Sequence, residues 1–300
     1  MTNPRSVTYC QHHDEENIHT PRAQTARTRS NHPMNTWNEI RKDGILVEDR
    51  AILTLNKPAG ISVMGERHES DITGLAQEAG EQIFPVHRID KVTSGVILFA
   101  KELGFHGALT RQFNKRTVDK VYLAITRSTG LPDKGVIDLP LSAGRKSRVR
   151  IAAPRENILV NKGSNHWSVK PSTVLTNTKT YPSVTTFVKV WSDEHYTLLA
   201  IQPMTGRRHQ IRVHLAWIDH PIEGDPLFYK ANAARGERTY LHSWRLAFDA
   251  AWLGGKRIDI EAIPGEEFWT PVRDNLPGQN SSAMPRHARR AITDAGHAET

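Results

Sequence analysis

From Gly44 onward the chain alternates short apolar runs with polar turns, and most of the runs read as strands. Ala51-Ile52-Leu53-Thr54-Leu55 and Val96-Ile97-Leu98-Phe99-Ala100 are nearly continuous apolar runs, the pattern of strands buried on both faces. Residues 119–126 alternate instead. Val121, Leu123 and Ile125 fall on one face, and Lys120, Tyr122, Ala124 and Thr126 fall on the other. Runs at 184–191 and 196–202 flank a Ser-Asp-Glu turn and predict a β-hairpin. Shorter strand signals lie at 135–139, 240–242, 245–248 and 257–263. Helical spacing is rarer. It predicts a short helix over 71–79 with Asp71 or Ser70 as N-cap, and one over 102–116 through Leu103, Leu109 and Phe113. A third helix is predicted over 206–216, with Thr205 or Gly206 near its N-cap, which puts Arg208 and Arg212 one turn apart on one face. Hairpin-like strands with few helices between them predict an α+β fold: a mixed, mainly antiparallel sheet with flanking helices.

Residues 1–43 carry many His, Arg, Asn and Thr and few apolar residues, so they are expected to form a polar tail. Composition reverts to this type near residue 275. The expected organisation is therefore a tail over 1–43, one catalytic-size domain over 44–275 and a second tail over 276–300. Residues 154–182 show little periodicity and are expected to be a long surface excursion. The run His12-His13-Asp14-Glu15-Glu16 reads as a solvated polar stretch, since no second ligand cluster follows at zinc spacing.

The net charge of +8 and pI of about 9.6 change the picture by pointing to a polyanionic partner, nucleic acid before membrane. No run approaches the roughly 18 apolar residues of a membrane span. The single cysteine, Cys10, excludes an intrachain disulfide, and the polar N-terminus has no signal-peptide core; a cytoplasmic location is the expectation. Neither a Gly-rich phosphate loop nor a paired-cysteine or His-Glu-x-x-His metal site is found, so neither a cofactor nor a metal is expected.

What chemistry the residues offer centres on His87-Arg88-Ile89-Asp90-Lys91-Val92-Thr93-Ser94-Gly95, a charged loop entering an apolar strand. Arg88 and Lys91 flank the Asp90 carboxylate and would keep it ionised. An ionised Asp can be a nucleophile or base without a cofactor, or merely half of a buried ion pair. Both readings stand on local physics alone. Lys57, in the turn Lys57-Pro58-Ala59-Gly60, reads equally as a solvated turn lysine. Tyr122 could pack into core on its face or line a cleft. The cations of 145–150 form a solvated face or contact phosphate.

The 87–95 loop resembles the catalytic motif of the RluA-type RNA pseudouridine synthases. Lys57-Pro58-Ala59-Gly60, Lys120-Val121-Tyr122-Leu123-Ala124, Gly206-Arg207-Arg208-His209-Gln210-Ile211-Arg212, the loop His220-Pro221-Ile222-Glu223-Gly224-Asp225 and Leu241-His242 resemble further family motifs, in order. The resemblance implies the family fold with a central RNA-binding cleft and isomerisation of a uridine to pseudouridine in tRNA or rRNA, by a monomer without cofactor. Asp90 would be nucleophile or sugar-cation stabiliser, Tyr122 the platform for a flipped uracil, and Arg212 the partner of Asp90. Arg88 would hold the flipped geometry, and Lys57 would support the site or the strand carrying Tyr122; His87, Thr93, Arg208, His209 and Gln210, with Lys57, would lie on the substrate side. Ile89, Met64, Asp219 and Glu223 depart from the family's usual residues. The competing expectation is an RNA-binding or ribosome-assembly protein whose activity is secondary or lost. Translation is expected to start at Met34, because folded-looking sequence begins just after it. N-terminal mass determination of the natural protein checks this, and a chain starting at residue 1 or 2 refutes it.

Overall fold

The computed structural model describes residues 36–65, 70–127, 129–144, 148–229 and 238–297. The chain divides into two compact units. The first runs to Lys120 and takes up Ser243–Ala262. The second holds Val121–His242 and the chain from Ile263. The expectation for Met34 and the His12–Glu16 run lie outside the described residues.

Order in the first unit begins before the expected boundary at residue 44. Helix α1, Trp37–Gly44, starts with a capping box: the Thr36 hydroxyl accepts from the Glu39 N–H, and the Glu39 carboxylate accepts from the Thr36 N–H. Trp37 and Ile40 are buried, so a polar-looking stretch is ordered by two apolar side chains. Strand β1 (Ile45–Glu48) pairs antiparallel with β2 (Ile52–Lys57). Helix α2 (Ile72–Glu78) is capped by Asp71, whose carboxylate accepts from Gly74 N–H at 2.8 Å, as expected.

Strand β3 (Phe84–Pro85) and β2 both pair with β4 (Ser94–Ala100), in antiparallel register from Ile52↔Ala100 to Lys57↔Gly95. Every residue of β4 is buried, which accounts for its continuous apolar run. Helix α3 (Leu103–Lys115) covers this sheet with Leu109, while Leu103, expected on the same stripe, is 68% exposed.

The second unit begins within β5, Asp119–Thr126, where Val121, Leu123 and Ile125 are buried as expected and Tyr122 is half-buried. The short strands β6 (Lys134–Asp138), β7 (Leu141–Ala143) and β8 (Val149–Ile151) follow.

The expected excursion over 154–182 does lie at the surface, but about a third of it is strand. Its β9 (Ile158–Asn161) and β10 (His166–Val169) form a hairpin whose β10 runs parallel to β6, and β11 (Thr180–Tyr181) pairs with β7. Trp167 explains the ordering. It is buried against Phe187 and sits over Gly135, where a β-carbon would lie 2.8 Å from the indole. One aromatic anchor is too sparse a signal for periodicity to register.

The expected hairpin is β12 (Val184–Ser192) with β13 (Thr197–Pro203). Within this unit the sheet runs β5-β13-β12-β6-β10-β9, and β11-β7-β8 form a second, three-stranded sheet. Helix α4 is Gln210–Trp217, shorter at its start than expected. The two strand signals near 240 and 245 merge into one strand, β14 (Leu241–Ala250). It passes into the first unit, lies beside β4 there, and pairs antiparallel with β15 (Lys256–Glu261).

The expected C-terminal tail also departs from expectation. After α5 (Glu266–Trp269), Leu276 is buried, and helix α6 (Met284–His297) buries Met284 and Ala288. The observed class is the expected one, α+β with a mainly antiparallel, mixed sheet. Among the described residues no helix is long and apolar enough to cross a membrane.

Gly95 is the tightest point of the first unit. Its φ is +108°, and a β-carbon there would stand 2.1 Å from the Ser243 carbonyl oxygen, well inside van der Waals contact. Gly80 also has a positive φ, +81°, but nothing lies within 4 Å of its would-be β-carbon. Gly95→Ala is therefore expected to cost about 3 kcal/mol or more, against about 1 kcal/mol for Gly80→Ala. Thermal and denaturant unfolding of the two variants checks this. Equal losses would show that the Ser243 approach is not what requires glycine.

Candidate active site

In the first unit the loop carrying Asp90 is tied down from beneath. Lys57 ends β2 and is fully buried. Its ammonium donates to the carbonyls of Pro58 and Ile61, at 2.8 Å each, and to that of Lys91 at 3.2 Å. A buried ammonium without such acceptors would cost several kcal/mol, so the three carbonyls and the cation fix each other. The Lys91 carbonyl also accepts from Gly60 N–H at 2.8 Å, and Thr93 N–H closes a turn on the Asp90 carbonyl at 3.0 Å. The solvated-turn reading of Lys57 does not hold, since the side chain is fully buried. It joins the turn at 58–61 to the loop at 90–93, and it shares the Asp90 backbone's rigidity rather than touching solvent.

His87 anchors the other end of the loop. Its Nε2 accepts from Leu98 N–H at 3.1 Å, and its ring stacks on Phe113 with centroids 4.7 Å apart. Burial first, and then the charge of Lys120, lower its pKa from the ordinary 6.5 to about 3. A neutral ring is what this acceptor role needs. Thr93 is buried. The His87 ring and the Thr93 backbone thus also hold the loop together. Arg88 is exposed and Asp90 is half-buried.

In the second unit Tyr122 lies opposite Ile201 in the β5–β13 register. Arg212, expected to share a helical face with Arg208, is 3% exposed and inside α4. Arg208 precedes the helix and is exposed, so the two do not share a helical face. The reason is His209. It occupies the N-cap in the left-handed region at φ 54°, and it breaks the helical continuity on which the expected spacing rested.

His209 thus stands at the N-cap in place of the expected Thr205 or Gly206, and Gln210 ties the helix start to the preceding segment. Its side-chain oxygen accepts from the Thr205 hydroxyl (2.6 Å) and from Arg207 N–H (3.1 Å), and its amide donates to Val184 and Thr185. With both polar atoms committed within the protein, Gln210 anchors the start of α4. His209 meets the Phe228 ring edge-on at 5.9 Å. Arg212 forms a bidentate pair with Asp225, Nε to Oδ2 at 2.7 Å and Nη2 to Oδ1 at 2.9 Å, with the Phe228 ring 5.5 Å from the guanidinium. Asp225 stands in a motif quoted above, but spacing alone gave no reason to single it out. Its only sequence signal is an acidic residue after a Gly in a short, proline-bounded loop. Among the described residues no three His, Cys, Asp or Glu side chains gather as a metal site would need.

Residues 51–217 match the RNA pseudouridylate synthase family, more than half of the chain. The chain belongs to that family. It is 32% identical over 266 residues to the dual-specificity RNA pseudouridine synthase RluA of Vibrio vulnificus, covering 83% of this chain and 95% of that one. The Vibrio parahaemolyticus protein of the same name is 33% identical over 268 residues, covering 85% and 98%. The tRNA pseudouridine synthase C of Pasteurella multocida is 32% identical over 221 residues, covering 68% and 84%. Among solved structures, human RNA pseudouridylate synthase domain containing 4 matches with a TM-score of 0.61 at 24% identity, over 78% of this chain and 93% of that one. At that identity the match speaks for the fold alone.

The protein is thus an RNA pseudouridine synthase of the RluA type, and it converts uridine to pseudouridine in RNA. Of the residues expected at this synthase's site, the first unit carries Lys57, His87, Arg88, Asp90 and Thr93, and the second carries Tyr122, Arg208, His209, Gln210 and Arg212.

The His87 pKa gives the synthase a testable pH response. Between about pH 6.5 and about pH 3 the unfolded chain binds a proton at His87 that the folded chain does not, so stability falls as pH falls through that window. His87→Gln keeps an acceptor for Leu98 N–H and removes the titration. Denaturant midpoints at pH 7.5 and 5 are expected to differ less in His87→Gln than in the wild type. Equal differences would refute the assignment.

Proposed function

We propose that Asp90 is the nucleophile of the reaction and that the target uridine is flipped out of a structured RNA, tRNA or large-subunit rRNA, to reach it. The observation that carries this reading is the anchorage of the Asp90 loop. Lys57 and Gly60 both donate to the Lys91 carbonyl just after Asp90, and the ring of His87, which precedes it, accepts from the β4 backbone, so the loop can present a carboxylate at a fixed position on a rigid strand end. The Asp90 carboxylate attacks the ribose C1′ as the bond from C1′ to N1 breaks. The freed uracil turns, C5 bonds to C1′ in place of N1, Asp90 leaves, and the C5 proton is lost while N1 gains one. Atoms and electrons balance within the nucleoside, so the isomerisation takes no external donor.

Tyr122 is the platform for the flipped base, and such stacking contributes about 1–3 kcal/mol per base against an unstacking cost of a few kcal/mol. Arg212 orients the carboxylate, and Arg88 occupies the space the base leaves. The exposure of Arg88, Arg148, Arg150, Arg207 and Arg208 supports an electrostatic contribution to RNA affinity. The names of the relatives, a dual-specificity RNA synthase and a tRNA synthase, support the choice of RNA class. A cytoplasmic monomer is part of the proposal, and gel filtration with light scattering tests the oligomeric state.

Asp90→Asn is expected to abolish pseudouridine formation while RNA affinity stays within a few-fold and falls steeply with salt in both proteins. The substrate is total RNA from a strain lacking the protein, with pseudouridines mapped against the parent strain. Turnover by Asp90→Asn would refute the nucleophile assignment. Pseudouridines unchanged by the deletion would favour the RNA-binding reading instead.

A further inference from the structure

The carboxylate that engages Arg212 within its own unit is Asp225. The pair joins the guanidinium edge formed by Nε and Nη2 to both carboxylate oxygens, and the two side chains are 3% and 0% exposed. Asp225 is itself fixed. Its Oδ1 accepts from Leu227 N–H at 2.8 Å and Phe228 N–H at 3.1 Å.

The loop beneath it is sewn to the strand that carries Tyr122. Ile222 bridges Thr126, Glu223 N–H donates to the Ile125 carbonyl at 2.9 Å, and Tyr240 N–H donates to the Glu223 carbonyl at 3.0 Å. Gly224 lets the chain pass closely here. Its φ is +70°, and a β-carbon would stand 1.9 Å from the Arg238 carbonyl oxygen. The loop therefore has one geometry, and the carboxylate it offers has one direction.

We propose that Asp225 is a positioning residue for pseudouridine formation, setting the plane and direction of the Arg212 guanidinium. The proposal rests on the catalytic role given to Arg212 above. Fork-to-fork pairing fixes the orientation of a planar cation in a way a single contact does not. Stability is a poor reason to bury such a pair, because a well-packed apolar replacement is often as stable. Directional control is what the pair supplies, and the Phe228 ring lies against the guanidinium at 5.5 Å.

The test uses the full-length protein and single-turnover pseudouridine formation on RNA from the deletion strain. RNA affinity and cooperative unfolding are measured in parallel. Asp225→Glu keeps the charge but moves the carboxylate, and Asp225→Asn keeps the shape but removes the charge. Both are expected to lower the rate, Asp225→Asn on the order of 100-fold, while RNA affinity changes only a few-fold. In an Arg212→Lys background, which has no fork to orient, Asp225→Asn is expected to add little further loss.

A merely structural role predicts the opposite, the same fold-loss in both backgrounds, and that result would overturn the proposal. Wild-type rate in Asp225→Glu overturns it too, and this variant decides the matter if Asp225→Asn does not fold. Arg212→Lys at wild-type rate would remove the catalytic role of Arg212 itself. A slow Arg212→Lys beside an unimpaired Asp225→Asn would leave that role standing and remove only the role of Asp225.

Discussion

A buried ammonium must find oxygen, and in this protein that requirement shapes the surroundings of Asp90. Lys57 is fully covered, and its Nζ collects carbonyls from Pro58, Ile61 and Lys91. The first two belong to the turn that follows β2, and the third belongs to the loop that enters β4. Two segments far apart in the chain are thereby joined around one charge. The close passage of Gly95 against Ser243 fixes the far end of the same loop. A loop bound at both ends loses little further entropy when it presents a side chain to substrate, which suits it to catalysis.

The second unit solves a matching problem with buried polar groups on one short helix. Gln210, Arg212 and His214 lie in its first five residues, and all three are buried. Each is hydrogen-bonded: Gln210 to Thr205, Val184 and Thr185, Arg212 to Asp225, and His214 to Thr185, shared with Gln210, and to the Leu139 carbonyl. Burial holds the His214 pKa down to about 4, and a neutral imidazole can serve as acceptor on one nitrogen and donor on the other. A helix with so many satisfied polar groups inside cannot rotate or slide without breaking several hydrogen bonds at once. Fixed orientation of Arg212 is the functional consequence. The left-handed His209 at the helix start is the accompanying backbone strain, of order 1–3 kcal/mol.

Much of this was legible before any coordinates. The β4 run, the alternation of β5, the 184–203 hairpin and the α2 cap each follow from local periodicity or cap chemistry, and they appear where expected. Elements held by a few long-range contacts were not legible. Trp37 and Ile40 turn a polar stretch into α1, Trp167 turns a Pro- and Asn-rich stretch into β9 and β10, and Met284 with Ala288 seats α6. Sparse anchors of this kind have no period to detect.

Family and fold class are readable from the chain alone, because motif order and residue chemistry are carried by its residues. Tertiary structure decided what the neighbouring polar residues do. Lys57, His87 and Gln210 each hydrogen-bond within the protein, and Thr93 is buried. Asp225 looked like one more loop residue and proved to grip Arg212. The reason is physical. A polar side chain in a motif has the same formula whether it meets substrate or backbone, and only burial and the direction of its hydrogen bonds tell the two apart.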